Sequence, residues 1–543
     1  VLPYLVIFVI NWALVVLYPE LFCLGHCWFS QVKVLFFEEY SSLASSFLFH
    51  FSMSGIAEFQ PALRSIRKGD VLEVEVTKLV LGGLGLALYD PTGTNPSQRL
   101  RVFVERALPG QKVRVIITQK KPQYVVGRIE QVLQDAPGVI QPKCPYFATS
   151  EAINSQKPSC GGCLWQNLTY EQQLEVKQQQ ILETLQRIGR MPDVKVEPII
   201  PSPEPWFYRN KVELSFGYNA DGHVDFGFRE RGKFHSIIPV ESCHIFDPKF
   251  PAVLDVIRRY VKMSDLEPFD FAKKPDGFWQ FLIVRRGVKT GEWMIHFITR
   301  PGHTISKHLA EELREVLGEN LQSVLHTVNF GKAITYTGHD NKKLEVLFGR
   351  DYILEQLGDL QFKISPFSFF QTNTLAAEKL YEVVKKLANL QGHEKVLDLY
   401  CGTGTIGQYI ARQAREVIGM EILQEAINDA NENARINKLA NCHYKCGDVK
   451  KILFGERNKY LHIDLLILDP PRAGIGDKTR QKIISLLPHR VIYVSCNPAT
   501  LARDLIDFRN KGYEITAVQP LDLFPQTHHV ETVVSMERTK RSL

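Results

Sequence analysis

The sequence predicts an α/β protein: a doubly wound open sheet of about seven strands in its carboxyl-terminal third, preceded by a small β-barrel and a mixed α+β central region. Three observations carry this. From Thr374 onward helical and strand-like segments alternate regularly. Gly402, Gly404 and Gly407 form G-x-G-x-x-G between the strand-like KVLDLY and a helical segment. Ahead of both, five short alternating runs punctuated by Gly, Pro and Asn fall within residues 66–134, the pattern of a small barrel of the oligonucleotide-binding kind.

Taken in order, residues 1–65 read as a poorly ordered leader. Residues 1–18, VLPYLVIFVINWALVVLY, carry no charge and are long enough to enter or span a bilayer, so a membrane anchor is the alternative. They lack both a basic segment ahead of them and the Arg/Ser-rich character of a transit peptide. With 45% hydrophobic and 23% charged residues, the chain otherwise reads as an intracellular, soluble protein, in cytoplasm, plastid or mitochondrion.

The runs VLEVEVTKLV, LGLALYD, RVFVERAL, KVRVIITQKK and YVVGRIEQVL supply the barrel over 66–134. Residues 65–134 hold 11 Lys/Arg against 6 Asp/Glu, in a chain whose formal charge is only +6. Such a local surplus suits a polyanion such as nucleic acid, although a solvated face gives the same count. A central region follows over 135–365. It opens with the connector DAPGVIQPK and a cysteine-bearing loop, then a helix starting at Thr169 with a capping box to Gln172. Leu174, Ile181, Leu185 and Ile188 are its expected buried face, and Gly189 ends it. The strand-like VELSFGY, FLIVRRG and WMIHFITR lie beyond it. The α/β sheet occupies 366–543, with strands KVLDLY, REVIGMEI, CHYKC, DLLILDPP, VIYVSCNP, YEITAVQPL and VETVVSME.

In an open α/β sheet, ligands bind outside the carboxyl ends of the strands. Asp398, Tyr400, Glu421, Asp448, Asp469 and Cys496 all fall at such ends, which favours a site over a series of helix caps. The segment Asp469-Pro470-Pro471-Arg472 has an arginine where an amine-methylating site would carry a base-stacking aromatic, and no cysteine directly after the prolines. Cys496 could be a nucleophile, a metal ligand or a small buried hydrophobe. Its position before a helix start is expected to lower its pKa. Glu531 begins the last strand and can face the same crevice. A nucleophile and a carboxylate base together suit methylation of a pyrimidine carbon. Ten cysteines at uneven spacing are too few for a disulfide scaffold and suggest thiol chemistry or metal binding.

From about residue 66 to 538 the chain resembles the S-adenosylmethionine-dependent RNA uracil-C5 methyltransferases. The resemblance rests on SPFSFFQTN (365–373), DLYCGTGTIG, GMEI, LDPPRAG, SCNPATLARDL and HHVETV, in the family's order. It implies a TRAM barrel at 66–134, an iron–sulfur central domain at 135–365 and a Rossmann-like class I methyltransferase domain at 366–543. It also implies Cys496 as nucleophile and Glu531 as general base. Gln371, Tyr400, Glu421, Asp448 and Asp469 match cofactor positions, and Phe369 the residue that stacks on the target base. Cys144, Cys160, Cys163 and Cys243 match the ligands of a [4Fe-4S] cluster, whereas spacing alone allows zinc as readily. The loop from Cys144 to Cys160, containing FATSEAINSQKPS, is longer than the family's. Loop closure grows costlier only slowly with length, so a cluster remains feasible. Cys23, Cys27, Cys401, Cys442 and Cys446 lie outside the pattern. The implied partner is structured tRNA or rRNA, handled by a monomer without an obligatory protein partner. A noncatalytic RNA chaperone retaining the fold is the rival reading, against which stands the presence of both Cys496 and Glu531.

Overall fold

The structure, a computed structural model, describes residues 66–90, 99–233, 236–270, 274–330, 342–455, 460 and 462–539. The expected leader, with Cys23 and Cys27, lies outside them. No described helix is long and apolar enough to cross a membrane.

Strict alternation builds the first unit. Strands β1 (Val71–Val80), β2 (Leu84–Tyr89), β3 (Leu100–Glu105), β4 (Lys112–Lys120) and β5 (Tyr124–Gln134) close into a barrel in the order β1-β2-β3-β5-β4. Period 2 sends Leu72, Val74, Val76, Val102, Val113 and Val115 inward, where they form one apolar core. Charged neighbours such as Glu73 and Arg114 remain outside, paired at 2.8 Å.

Helix α1 (Ser150–Asn154) is capped by Thr149. Helix α2 (Tyr170–Arg187) starts with the predicted capping box, Thr169 and Gln172 each accepting the other's backbone N–H. Its buried face differs from expectation. Gln173, Lys177, Gln180, Ile181, Thr184 and Leu185 are buried, whereas Leu174 is half-buried and Ile188 is 45% exposed. The reason is tertiary: the inward face meets polar backbone and an aspartate from the far end of the chain, so amide and ammonium groups satisfy it better than leucine.

The central region holds a second sheet ordered β12-β11-β10-β9-β6-β7-β8, formed by β6 (Lys211–Tyr218), β7 (Val224–Arg229), β8 (Ile237–Pro239), β9 (Trp279–Arg286), β10 (Trp293–Thr299), β11 (Leu321–Asn329) and β12 (Lys342–Gly349). Helices α3 (Phe250–Ser264) and α4 (His308–Leu317) cover one face with Phe250, Leu254, Ile257, Leu309 and Leu313. The predicted VELSFGY, FLIVRRG and WMIHFITR are β6, β9 and β10.

After the hairpin β13 (Ile353–Leu357) and β14 (Leu360–Ile364), α5 (Thr374–Ala388) begins, with the Asn373 side chain accepting the Ala376 N–H. The third sheet follows: β15 (Lys395–Leu399), α6 (Thr405–Ile410), β16 (Glu416–Glu421), α7 (Gln424–Ile436), β17 (Cys442–Cys446), α8 (Val449–Gly455), β18 (Leu465–Leu468), α9 (Asp477–Ile484), β19 (Arg490–Ser495), α10 (Pro498–Asn510), β20 (Tyr513–Leu521) and β21 (Glu531–Arg538). Its order is β17-β16-β15-β18-β19-β21-β20, with β21 antiparallel between β19 and β20. Central strands such as Leu465–Leu468 are buried throughout because helices cover both faces. The chain winds outward from β15 to β17, then returns to β18, and this reversal opens a crevice over β15 and β18. Residues 522–530 link β20 to β21 without a helix and deliver Glu531.

Candidate active site

The crevice is a cavity of about 770 Å³. Its floor is shaped by the glycine turn after β15. Gly404 has φ +77°, and a Cβ there would lie 2.5 Å from the Tyr444 hydroxyl, so only glycine fits. Tyr400 also turns with positive φ, 65°. Glu421 ties the end of β16 to this turn, accepting the Gly402 N–H at 3.3 Å and the Ile422 N–H at 2.7 Å. Asp448 lines the cavity and also accepts the Lys451 N–H at 2.9 Å, so it serves as a helix cap too. Asp398 is not a lining residue. It is fully buried behind the turn, Oδ2 accepting the Gly407 N–H at 3.1 Å and Oδ1 without a partner.

The opposite wall carries Asp469, Arg472, Cys496 and Glu531. Register sets the last two together. Ser495 of β19 pairs with Thr532 of β21, so the adjoining residues Cys496 and Glu531 meet at the same end of the sheet. Asn497 turns the chain into α10 by accepting the Ala499 N–H at 3.1 Å, with Pro498 in the first turn. The same side chain donates to the Arg472 carbonyl at 2.9 Å, pinning the Asp469–Arg472 loop beside Cys496. Phe369, 66% exposed, and buried Gln371 complete the mouth. All eight predicted nucleophile, base, cofactor and stacking residues thus share one cavity: Phe369, Gln371, Tyr400, Glu421, Asp448, Asp469, Cys496 and Glu531.

The electrostatics correct one expectation. The Cys496 thiol is pushed up to about 11, chiefly by burial and then by Glu531 and Asp469, with Arg472 pulling the other way. A helix start is too weak to offset desolvation and two facing carboxyls. Burial raises Asp469 to about 7, and burial with Asp469 beside it holds Glu531 well above the usual carboxylate range. Asp398 is raised to about 8 by burial and by Asp469. So many buried acids around one exposed guanidinium make the cavity fit a cationic ligand, which would lower every one of these values.

Cys144, Cys160, Cys163 and Cys243 converge on a second cavity of about 450 Å³, as free thiols. As placed, no three His, Cys, Asp or Glu side chains among the described residues are set to hold a metal ion. Burial raises Cys163 and Cys243 to about 12, and their neighbouring thiols add to the rise. Four thiols that oppose one another's ionisation are a donor set suited to a bound metal group, which removes that opposition. The long Cys144–Cys160 loop is taken up by α1, whose Asn154 side chain bonds both backbone groups of Val132 in the barrel. Cys401 and Cys442 are buried elsewhere, and Cys446 is half-buried.

The two cavities share Phe369, Gln371, Arg472 and Phe524 as a wall. Sequence reasoning missed Phe524 and used Arg472 only to exclude amine methylation. Arg472 is visible only as part of LDPPRAG, and Phe524 carries no local signal, since the importance of both lies in facing the two cavities at once.

Residues 303–539 match the model of the tRNA (uracil-5-)-methyltransferase family. An uncharacterised RNA methyltransferase of Clostridium tetani is 37% identical over 480 residues, covering 87% of this chain and 99% of the relative. Another, from Chlorobaculum tepidum, is 33% identical, covering 87% and 98%. Among solved structures, the tRNA (uracil-54, C5)-methyltransferase of Pyrococcus abyssi in complex with S-adenosyl-L-homocysteine is similar with TM-score 0.65 and 25% identity, covering 86% of this chain and all of that one.

Proposed function

Because the chain belongs to the tRNA (uracil-5-)-methyltransferase family of RNA methyltransferases, we propose that it methylates carbon 5 of a uridine in tRNA or rRNA through a covalent Cys496–uracil adduct. The observation carrying this reading is the β19–β21 register, which brings Cys496 and Glu531 to one end of a cavity that also holds Phe369.

Carbon 5 of uracil is a weak nucleophile. Cys496 attacks as the thiolate, favoured once a cationic ligand occupies the cavity and its proton has passed to solvent; Sγ bonds to carbon 6, and the displaced electron pair makes carbon 5 enolate-like. When bound, S-adenosylmethionine supplies the methyl group from its sulfonium. Gln371, Tyr400, Glu421, Asp448 and Asp469 would hold it, and the excess of buried acids fits its positive charge. The Glu531 carboxylate then takes the proton from carbon 5. The pair left behind re-forms the carbon 5–carbon 6 double bond and expels the Cys496 thiolate. Phe369 gives the unstacked base a ring to lie on, which suits a uridine taken from a loop more than from a duplex.

In this reading 66–134 is a TRAM barrel of the oligonucleotide-binding type that grips RNA with its basic surplus. Residues 135–365 form the central domain and 366–543 the class I catalytic domain, in a chain acting as a monomer. Cys144, Cys160, Cys163 and Cys243 would hold a [4Fe-4S] cluster, which supplies cross-linking between segments, since uracil methylation moves no net electrons.

The test is incubation of the protein with labelled S-adenosylmethionine and tRNA or rRNA carrying 5-fluorouridine. A denaturant-stable protein–RNA adduct that disappears in Cys496→Ala is expected. Wild-type protein that gives neither adduct nor methyl transfer on either RNA class would overturn the reading.

A further inference from the structure

The turn 522–530 that delivers Glu531 is built around a glutamine in an unfavourable backbone state. Gln526 has φ +68°, in the left-handed region where glycine is the ordinary choice, yet it is only 2% exposed. Its contacts explain the residue. Its N–H donates to Gln173 Oε1 at 2.8 Å, and Gln173 Nε2 donates back to Gln526 Oε1 at 3.0 Å, a reciprocal amide pair between residues 353 apart in sequence. Its carbonyl accepts the N–H groups of Leu164 at 2.9 Å and Trp165 at 3.1 Å, the two residues directly after Cys163. Gln173 Nε2 also donates to the Trp165 carbonyl at 2.9 Å, so one α2 side chain holds both the turn and the cysteine loop.

Neighbouring contacts fix the rest of the turn. Lys177 donates to Asp522 Oδ1 at 2.7 Å and to the Phe524 carbonyl at 3.1 Å, both charged groups being fully buried. Tyr208 donates to the Pro525 carbonyl at 3.1 Å. Thr527 Oγ accepts the His529 N–H at 3.2 Å, two residues before the carboxylate. A residue kept in a strained conformation by surrounding contacts, next to a reacting group, indicates a geometry the site requires.

We propose that Gln526, clamped by Gln173, is a positioning residue for the Glu531 carboxylate and couples it mechanically to the Cys160–Cys163 loop. This rests on the methylation reading for what Glu531 does. Gln526 touches no reacting atom; it fixes the turn so that the carboxylate meets the carbon 5 proton. Misplacing a base by about 1 Å slows its own step on the order of a hundredfold while leaving earlier steps intact.

The chemistry gives a readout that loss of stability alone would not produce. When proton removal is slow, methylated RNA stays bonded to Cys496 on ordinary uridine, without any fluorine. Full-length Gln173→Leu and Gln526→Gly are therefore compared with wild type and Glu531→Gln. Gln526→Gly removes the Oε1 acceptor for Gln173 and frees the turn from its fixed backbone state, leaving only the backbone N–H and carbonyl contacts, and so serves if Gln173→Leu fails to fold.

The expected result is a fall in kcat of about 10- to 100-fold with RNA KM falling alongside it, so that kcat/KM stays within about twofold of wild type. Covalent adduct on ordinary uridine RNA should build up as in Glu531→Gln, with amide exchange across 522–531 faster by about tenfold. Unchanged kcat, or slower turnover without adduct, overturns the proposal. If wild type forms no adduct on 5-fluorouridine RNA, the methylation reading fails instead. Unchanged exchange in both variants then removes the clamp as well, whereas faster exchange retains it as the device that fixes Glu531.

Discussion

Cys496 is a thiol held from ionising by burial and by the acids it faces, and this sets its reactivity. Alkylation of Cys496 by iodoacetamide should rise about tenfold per pH unit through the neutral range and level off only near 11. Arg472→Gln removes the charge that favours the thiolate and should slow alkylation at pH 8 by about 2- to 10-fold. Glu531→Gln removes an opposing charge and should speed it by a similar factor at pH 9, both measured by mass spectrometry of the labelled peptide. The residues themselves were legible in the sequence, because each motif at a strand boundary is local: SCNP and DPPR mark where a strand stops and HHVE where one begins. Their ionisation was not. A helix start is visible in SCNPATL, but the desolvation that overrides it depends on strands and loops distant in sequence. Asp398 was misjudged for the same reason: its strand position is local, whereas the glycine turn that covers it is tertiary.

At the level of elements, α2 is the instructive case. Its capping box was readable from Thr169 and Gln172, but its buried face was not, because glutamine and lysine normally mark solvent. Lys177 is buried against Asp522 at 2.7 Å. Lys177→Met strands that aspartate and should cost about 3–5 kcal/mol in chemical denaturation, whereas adding Asp522→Leu should recover most of the loss. The barrel touches the same region. Gly83, at φ +76°, sits in the β1–β2 turn, and a Cβ there would lie 3.0 Å from His528 Cβ, three residues before Glu531. Gly83→Ala should lower stability by about 1–2 kcal/mol through the left-handed strain alone. It should also slow methyl transfer, because His528 has to yield.

Across the whole molecule, the acids gathered at the crevice make stability depend on pH. Asp398 and Asp469 are raised from 3.8 to about 8 and about 7. Below about pH 4 both are protonated, folded or unfolded, and cost nothing. As pH rises the unfolded chain ionises first, so ligand-free stability falls between about pH 4 and 8 and is level above that. Asp398→Asn keeps an acceptor for the Gly407 N–H and should flatten this decline, raising the Tm at pH 8 by several degrees, on the order of 2–4 °C per kcal/mol. The strand and helix alternation of 366–543 was legible because each segment has its own period. How the second sheet, the barrel and the cysteine loop meet around two adjoining cavities was not, since those contacts join residues hundreds of positions apart. That separation has a consequence in time. Gln173 and Lys177 leave the ribosome some 350 residues before Gln526 and Asp522. At roughly 5–20 residues per second the nascent chain carries α2 with its inner face unmatched for about 20–70 s. The inner face of α2 is therefore matched only once residues 522–526 are made, and a product that stops before them would lack both the base and the partners that α2 awaits.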